Sequence, residues 1–90
     1  MKAYVLVTTK SGTAEKVTKA IKKVKSVTNA ECVYGRFDVI VIVNSPEMET
    51  IDRVVHTIQR NPDVLHTETA LTHYAAEYHS EKLKSQGIIE

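Results

Sequence analysis

The stretch Tyr34-Gly35-Arg36-Phe37-Asp38-Val39-Ile40-Val41-Ile42-Val43 decides the fold of this chain. A polar turn with a glycine feeds an unbroken run of β-branched residues. Such a run reads as a strand covered on both faces, because a strand with one wet face alternates apolar with polar. Gly35 reaches φ > 0 without steric cost, so it suits a tight turn between two strands. Asp38 sets a carboxylate at the mouth of the buried strand. Val27 to Tyr34 reads as the hairpin partner, with Ala30, Cys32 and Tyr34 on one face and Asn29, Glu31 and Val33 on the other. The second strand then runs from Phe37 to Val43, and the turn is where function is expected.

Toward the N-terminus, Ala3 to Val7 is a short apolar run and reads as a strand. The loop Lys10-Ser11-Gly12-Thr13 follows, with Thr13 placed to cap a helix and Glu15 suited to the positive end of its dipole. Ala14, Val17, Ile21 and Val24 recur at helical spacing, with Lys16, Lys19, Lys22 and Lys23 mostly elsewhere on the wheel. No aromatic residue interleaves with these lysines, so they read as a solvated outer face rather than a nucleic-acid patch. Cys32 has no local feature that would activate a thiolate and reads as a small buried hydrophobe.

Toward the C-terminus, Ser45-Pro46-Glu47 is a helix start, with Ser45 as cap and Pro46 at the first helical position. Met48, Ile51, Val55 and Ile58 line one face, and Asn61-Pro62 stops the helix. Val64 to Leu71 reads as the last strand. Leu65, Thr67, Thr69 and Leu71 point one way, and Val64, His66, Glu68 and Ala70 the other. A polar tail over 75–90 follows, with a short helix expected over 75–85 and ended by Gly87. Tyr74, Tyr78 and Leu83 are the residues that would pin it.

The order is β-α-β-β-α-β, the ferredoxin-like α+β plan, with both helices on one face of a single sheet. The other face is apolar as well, since Val39, Val41 and Val43 are matched by equally apolar Ile40 and Ile42, and Ala3, Val5 and Val7 by Tyr4 and Leu6. No further chain is available to cover it, so a second copy is expected to. The result would be a sheet-to-sheet homodimer, a dimeric α/β barrel. Each fully buried Val or Ile contributes about 1.5–3 kcal/mol, so a few per subunit offset the cost of association.

Composition narrows the function classes. Ninety residues make one domain with a thin core of its own. The net charge is +1, with acids and bases mixed, which argues against direct nucleic-acid binding. Cys32 is the single cysteine, so no intrachain disulfide can form and a reducing cytoplasm fits best. The opening apolar run is too short for a signal segment or a membrane span. His56, His66, His73 and His79 show no metal-ligand spacing, so neither a metal nor another cofactor is expected. The first loop has no Cys-x-x-Cys for a metallochaperone, and the central strands lack the aromatics of an RNA-recognition module.

With the elements placed, residues 1–74 resemble the ligand-binding domain of the Lrp/AsnC family, the RAM domain. The resemblance rests on Ala3-Tyr4-Val5-Leu6-Val7 as strand one and on Gly35-Arg36-Phe37-Asp38 as the family's Gly-x-aromatic-Asp turn. A helix after Ser45 and the alternate threonines of Val64-Leu65-His66-Thr67-Glu68-Thr69 complete it. Full-length members carry a helix-turn-helix domain, and no segment here supplies one, so the chain is similar to the stand-alone form. The resemblance implies dimers assembled into octamers or decamers, amino-acid effectors held where dimers meet, and mixed assemblies with full-length regulators. It places the ligand site at Gly35, Arg36, Phe37 and Asp38 of the hairpin, with Thr67, Thr69 and Leu71 from a neighbouring subunit. Asp38 would accept the ligand's ammonium, and backbone N–H groups around Gly35 would meet its carboxylate. Arg36 would either reach that carboxylate or meet solvent. The tail over 75–90 has no counterpart in the family. Two other readings stay open on the residues: a small dimeric barrel enzyme of the monooxygenase kind, and a ligand-free assembly module.

Overall fold

A computed structural model describes residues 1–72. The tail helix expected over 75–85, Tyr74, and two of the histidines, His73 and His79, lie outside the described residues. The chain runs β1 (Lys2–Thr9), α1 (Ala14–Lys22), β2 (Val27–Cys32), β3 (Val39–Asn44), α2 (Met48–Gln59) and β4 (Val64–Leu71). The four strands form one antiparallel-paired sheet in the order β2-β3-β1-β4. This is the ferredoxin-like α+β fold that the element order implies.

The pleat sorts the side chains. Ala3, Val5 and Val7 of β1 pair with Val43, Val41 and Val39 of β3, and all six are fully buried. They meet Val17 and Ile21 of α1 and Ile51, Val54 and Ile58 of α2, with Ala30 from β2. Burial of this apolar set drives folding, at about 1.5–3 kcal/mol for each large side chain. The alternate residues Tyr4, Leu6, Ile40 and Ile42 sit on the opposite face and are only half-buried. Glu31 lies opposite Ile40 and Glu68 opposite Leu6, so acidic residues border this apolar strip on both edge strands.

Local details differ from the sequence expectations. The Thr13 hydroxyl does not cap α1 but donates to the Lys10 carbonyl at 2.7 Å, tightening the preceding loop. Helix α2 begins at Met48, because the Ser45 hydroxyl accepts the Glu47 N–H at 3.1 Å and forms a local turn first. Val54 joins Ile51 and Ile58 in the core, while Met48 is about half exposed. Cys32 is exposed, because β2 is an edge strand. Its sulfur lies 3.1 Å from the Thr18 hydroxyl, which also bonds the Ala14 carbonyl at 2.7 Å. The contact ties the edge strand β2 to α1. In β4 the register shifts between Thr8 and Thr9: Thr8 faces His66 and Thr9 faces Val64, leaving Leu65 unmatched and exposed. This bulge turns Val64 onto the helix side, where it packs on the core.

Candidate functional site

The hairpin joining β2 to β3 stands at the end of the sheet where β1 finishes. Strand β2 ends at Cys32 and β3 starts at Val39, so the irregular link is longer than the alternation of residues suggests. The Val33 N–H donates to the Asp38 carbonyl at 2.9 Å and closes the base of the loop Tyr34–Phe37. Gly35 has φ +137°, a backbone conformation open to glycine, and no atom lies within 4 Å of where a Cβ would project. The Cβ side of the residue therefore faces open space. Tyr34, Gly35 and Arg36 are exposed, and Phe37 and Asp38 are half-buried. The Arg36 guanidinium sits 5.8 Å from the centre of the Phe37 ring, so it stacks on its neighbour rather than extending freely.

Asp38 is tied to β1 twice. Its N–H donates to the Val7 carbonyl at 2.9 Å, and its Oδ2 accepts the Thr9 N–H at 2.8 Å. The Thr9 partnership gave no sign in the sequence, because a main-chain donor carries no residue signature. A shallow groove of about 250 Å³ runs beside Asp38, lined by Ala14, Glu15, Cys32, Val33 and Tyr34. Asp38, which also lines it, is the one residue of the Gly35–Asp38 motif that does.

On the far side of β1, Thr67, Thr69 and Leu71 pair with Val7, Val5 and Ala3 and share their helix-side face. Thr67 is half-buried, and Thr69 and Leu71 are exposed. The Gln59 side-chain amide donates to the Thr67 Oγ1 at 3.0 Å, which leaves the hydroxyl proton of Thr67 free to donate elsewhere. A second depression, of about 320 Å³, is lined by Gln59, Val64, Leu65, His66 and Thr67. Asp38 and Thr67 thus lie at the same end of the sheet, but with β1 between them, a lateral gap of about 10 Å in one subunit. One subunit brings the four hairpin residues together and keeps the three β4 residues apart from them.

The described histidines lie on the surface. His56 faces Asp52 at 3.6 Å and His66 faces Glu68 at 4.0 Å, all with well-exposed side chains. Among the described residues no helix is long and apolar enough to cross a membrane.

A model of the Lrp/AsnC ligand binding domain matches residues 2–76. The chain belongs to the Lrp/AsnC ligand-binding domain family. Solved structures agree with this. FFRP-DM1 is 26% identical with a TM-score of 0.73, the match covering 80% of this chain and 97% of that one. TTHA0845 from Thermus thermophilus is 28% identical with a TM-score of 0.73, covering 81% and 95%. AsnC of E. coli shares the fold at 18% identity and a TM-score of 0.69, and this Lrp/AsnC domain spans 52% of its length. A Neisseria meningitidis transcriptional regulator solved in complex with L-Met shares the fold at 16% identity and a TM-score of 0.67, the match covering 81% of this chain and 50% of that one. No curated protein matches the chain.

Proposed function

We propose that this Lrp/AsnC domain is a non-enzymatic cytoplasmic sensor of a small effector, an amino acid, and that it acts through the assemblies it forms. The observation that carries this reading is the family match over residues 2–76, a domain whose named role is ligand binding. The L-Met complex of the Neisseria fold relative supports an amino acid as the ligand class. The domain would end near residue 74, with 75–90 as an added tail.

The hairpin supplies the chemistry such a ligand requires. With Oδ2 of Asp38 engaged by Thr9, Oδ1 is left to accept an ammonium, and a charge-assisted bond of that kind contributes about 1.5–3 kcal/mol. The peptide groups at Gly35 would meet the ligand carboxylate. Thr67, with its free hydroxyl proton, would complete the site together with Thr69 and Leu71 from a neighbouring subunit. Supply from a neighbour is consistent with the gap that β1 imposes within one subunit.

The half-covered strip of Tyr4, Leu6, Ile40 and Ile42 supports a sheet-to-sheet homodimer as the building block, with dimers joining into octamers or decamers. Mixed assembly with full-length Lrp/AsnC regulators would let a ligand shift the population of oligomers, and so modulate transcription or metabolism without a DNA reader in this segment. Thermal melts with each common amino acid test the sensor reading. A ligand at a hundred times its dissociation constant stabilises by about 2.7 kcal/mol, a shift of several degrees. One or two hits are expected. A flat panel at millimolar concentration would instead favour the assembly module.

A further inference from the structure

We infer that Asp38 is a positioning residue: its carboxylate extends the β1–β3 ladder beyond the last strand pair and so fixes where the Tyr34–Phe37 loop stands. The inference goes beyond the sensor reading and holds whether or not an amino acid binds.

The geometry is specific. Backbone pairing of β1 with β3 ends at Val7 opposite Val39. Thr9 lies beyond that end, so β3 offers its N–H no backbone carbonyl in register. The Asp38 Oδ2 supplies the acceptor at 2.8 Å, while the Asp38 N–H takes the Val7 carbonyl at 2.9 Å. One residue thus brackets Thr8 from both sides. Its own carbonyl then accepts the Val33 N–H at 2.9 Å, which closes the loop. All three bonds converge on Asp38, so the loop base is tied to β2 through one of them and to β1 through two. The loop itself has an exposed tyrosine, a glycine with open space around it and an exposed arginine. Phe37, beside Asp38, is the one half-buried residue of the loop, whose position therefore rests on that ring and on the tether at its base. The carboxylate also matters to Thr9, which is 7% exposed. Without that acceptor its amide would be left without a partner in a site that water reaches poorly.

The test separates acceptor geometry from charge. Asp38→Asn keeps an oxygen that accepts from Thr9 and removes the negative charge. Asp38→Ala removes both. Amide exchange and chemical shifts of the Thr9 and 34–37 amides are followed by NMR with thermal melts. In the unaltered protein the Thr9 amide should exchange at least tenfold more slowly than the exposed loop amides. Asp38→Ala should abolish that protection and shift the 34–37 amides, leaving the core amides of Val5 and Val41 in place. Asp38→Asn should restore most of both. The inference is overturned if Thr9 exchanges as fast as an exposed amide in the unaltered protein, a measurement that needs no variant to fold. It is equally overturned if Asp38→Asn behaves like Asp38→Ala. Loss of amino-acid binding in Asp38→Asn with Thr9 protection intact would assign the charge to the ligand and the oxygen to the tether. Failure of the sensor reading would leave the exchange results unchanged.

Discussion

At Gly35 backbone shape, rather than packing, sets the choice of residue. Its φ of +137° is strained for any L-residue, while open space surrounds it. Gly35→Ala should therefore lower stability by about 1–2 kcal/mol through backbone strain alone, a fall of several degrees in the melting midpoint. An unchanged midpoint would show that the hairpin relaxes into another turn. Legibility at this scale followed chemistry. The turn glycine and the Asp38 carboxylate could be read from residue type. The Thr9 amide that Asp38 binds could not, because every non-proline residue carries the same donor. Thr67 enters through the family resemblance, and its Gln59 partner depends on how α2 ends over the sheet. Cys32 alternates correctly onto the helix face, yet its exposure depends on which strand lies at the sheet edge, a matter of topology rather than pattern.

The elements themselves follow from periodicity. All six appear in the expected order: β4 keeps the expected bounds, β1 runs further at both ends, and β2 and β3 stop short of the hairpin, at Cys32 and Val39. The phase of α2 shows where pattern stops. Val54 and Val55 each fall within one turn of both Ile51 and Ile58, so helical spacing admits either. Packing on the sheet selects Val54, which is 1% exposed, and leaves Val55 partly buried. Truncating Val54→Ala should cost about 2 kcal/mol through lost burial and a residual cavity. Met48→Ala, at the exposed start of the helix, should stay within about 0.5 kcal/mol. Urea titrations of the two variants separate these cases, and equal losses would mean that the helix sits in a different rotation. The β4 bulge at Leu65 is the corresponding failure for strands, since a one-residue slip reverses every face assignment before it while the sequence keeps its alternation.

The whole molecule presents a sheet with one face under helices and one face open. The open strip of Tyr4, Leu6, Ile40 and Ile42 is the surface proposed to pair with a second copy. Leu6 lies at its centre, between Ile40 and Glu68. Leu6→Glu should leave the helix-side core intact and convert dimers to monomers at micromolar concentration, as read by light scattering. A Leu6→Glu protein that remains dimeric would move the contact to another surface. The apolar second face was visible in the sequence because β3 does not alternate. The measurement that tests the central claim most directly is native mass spectrometry of the intact chain with each amino acid in turn. The account predicts even-numbered assemblies that retain one kind of amino acid, with the ligand changing the balance among assembly sizes. A monomer, or assemblies that stay bare and unchanged throughout, would contradict it.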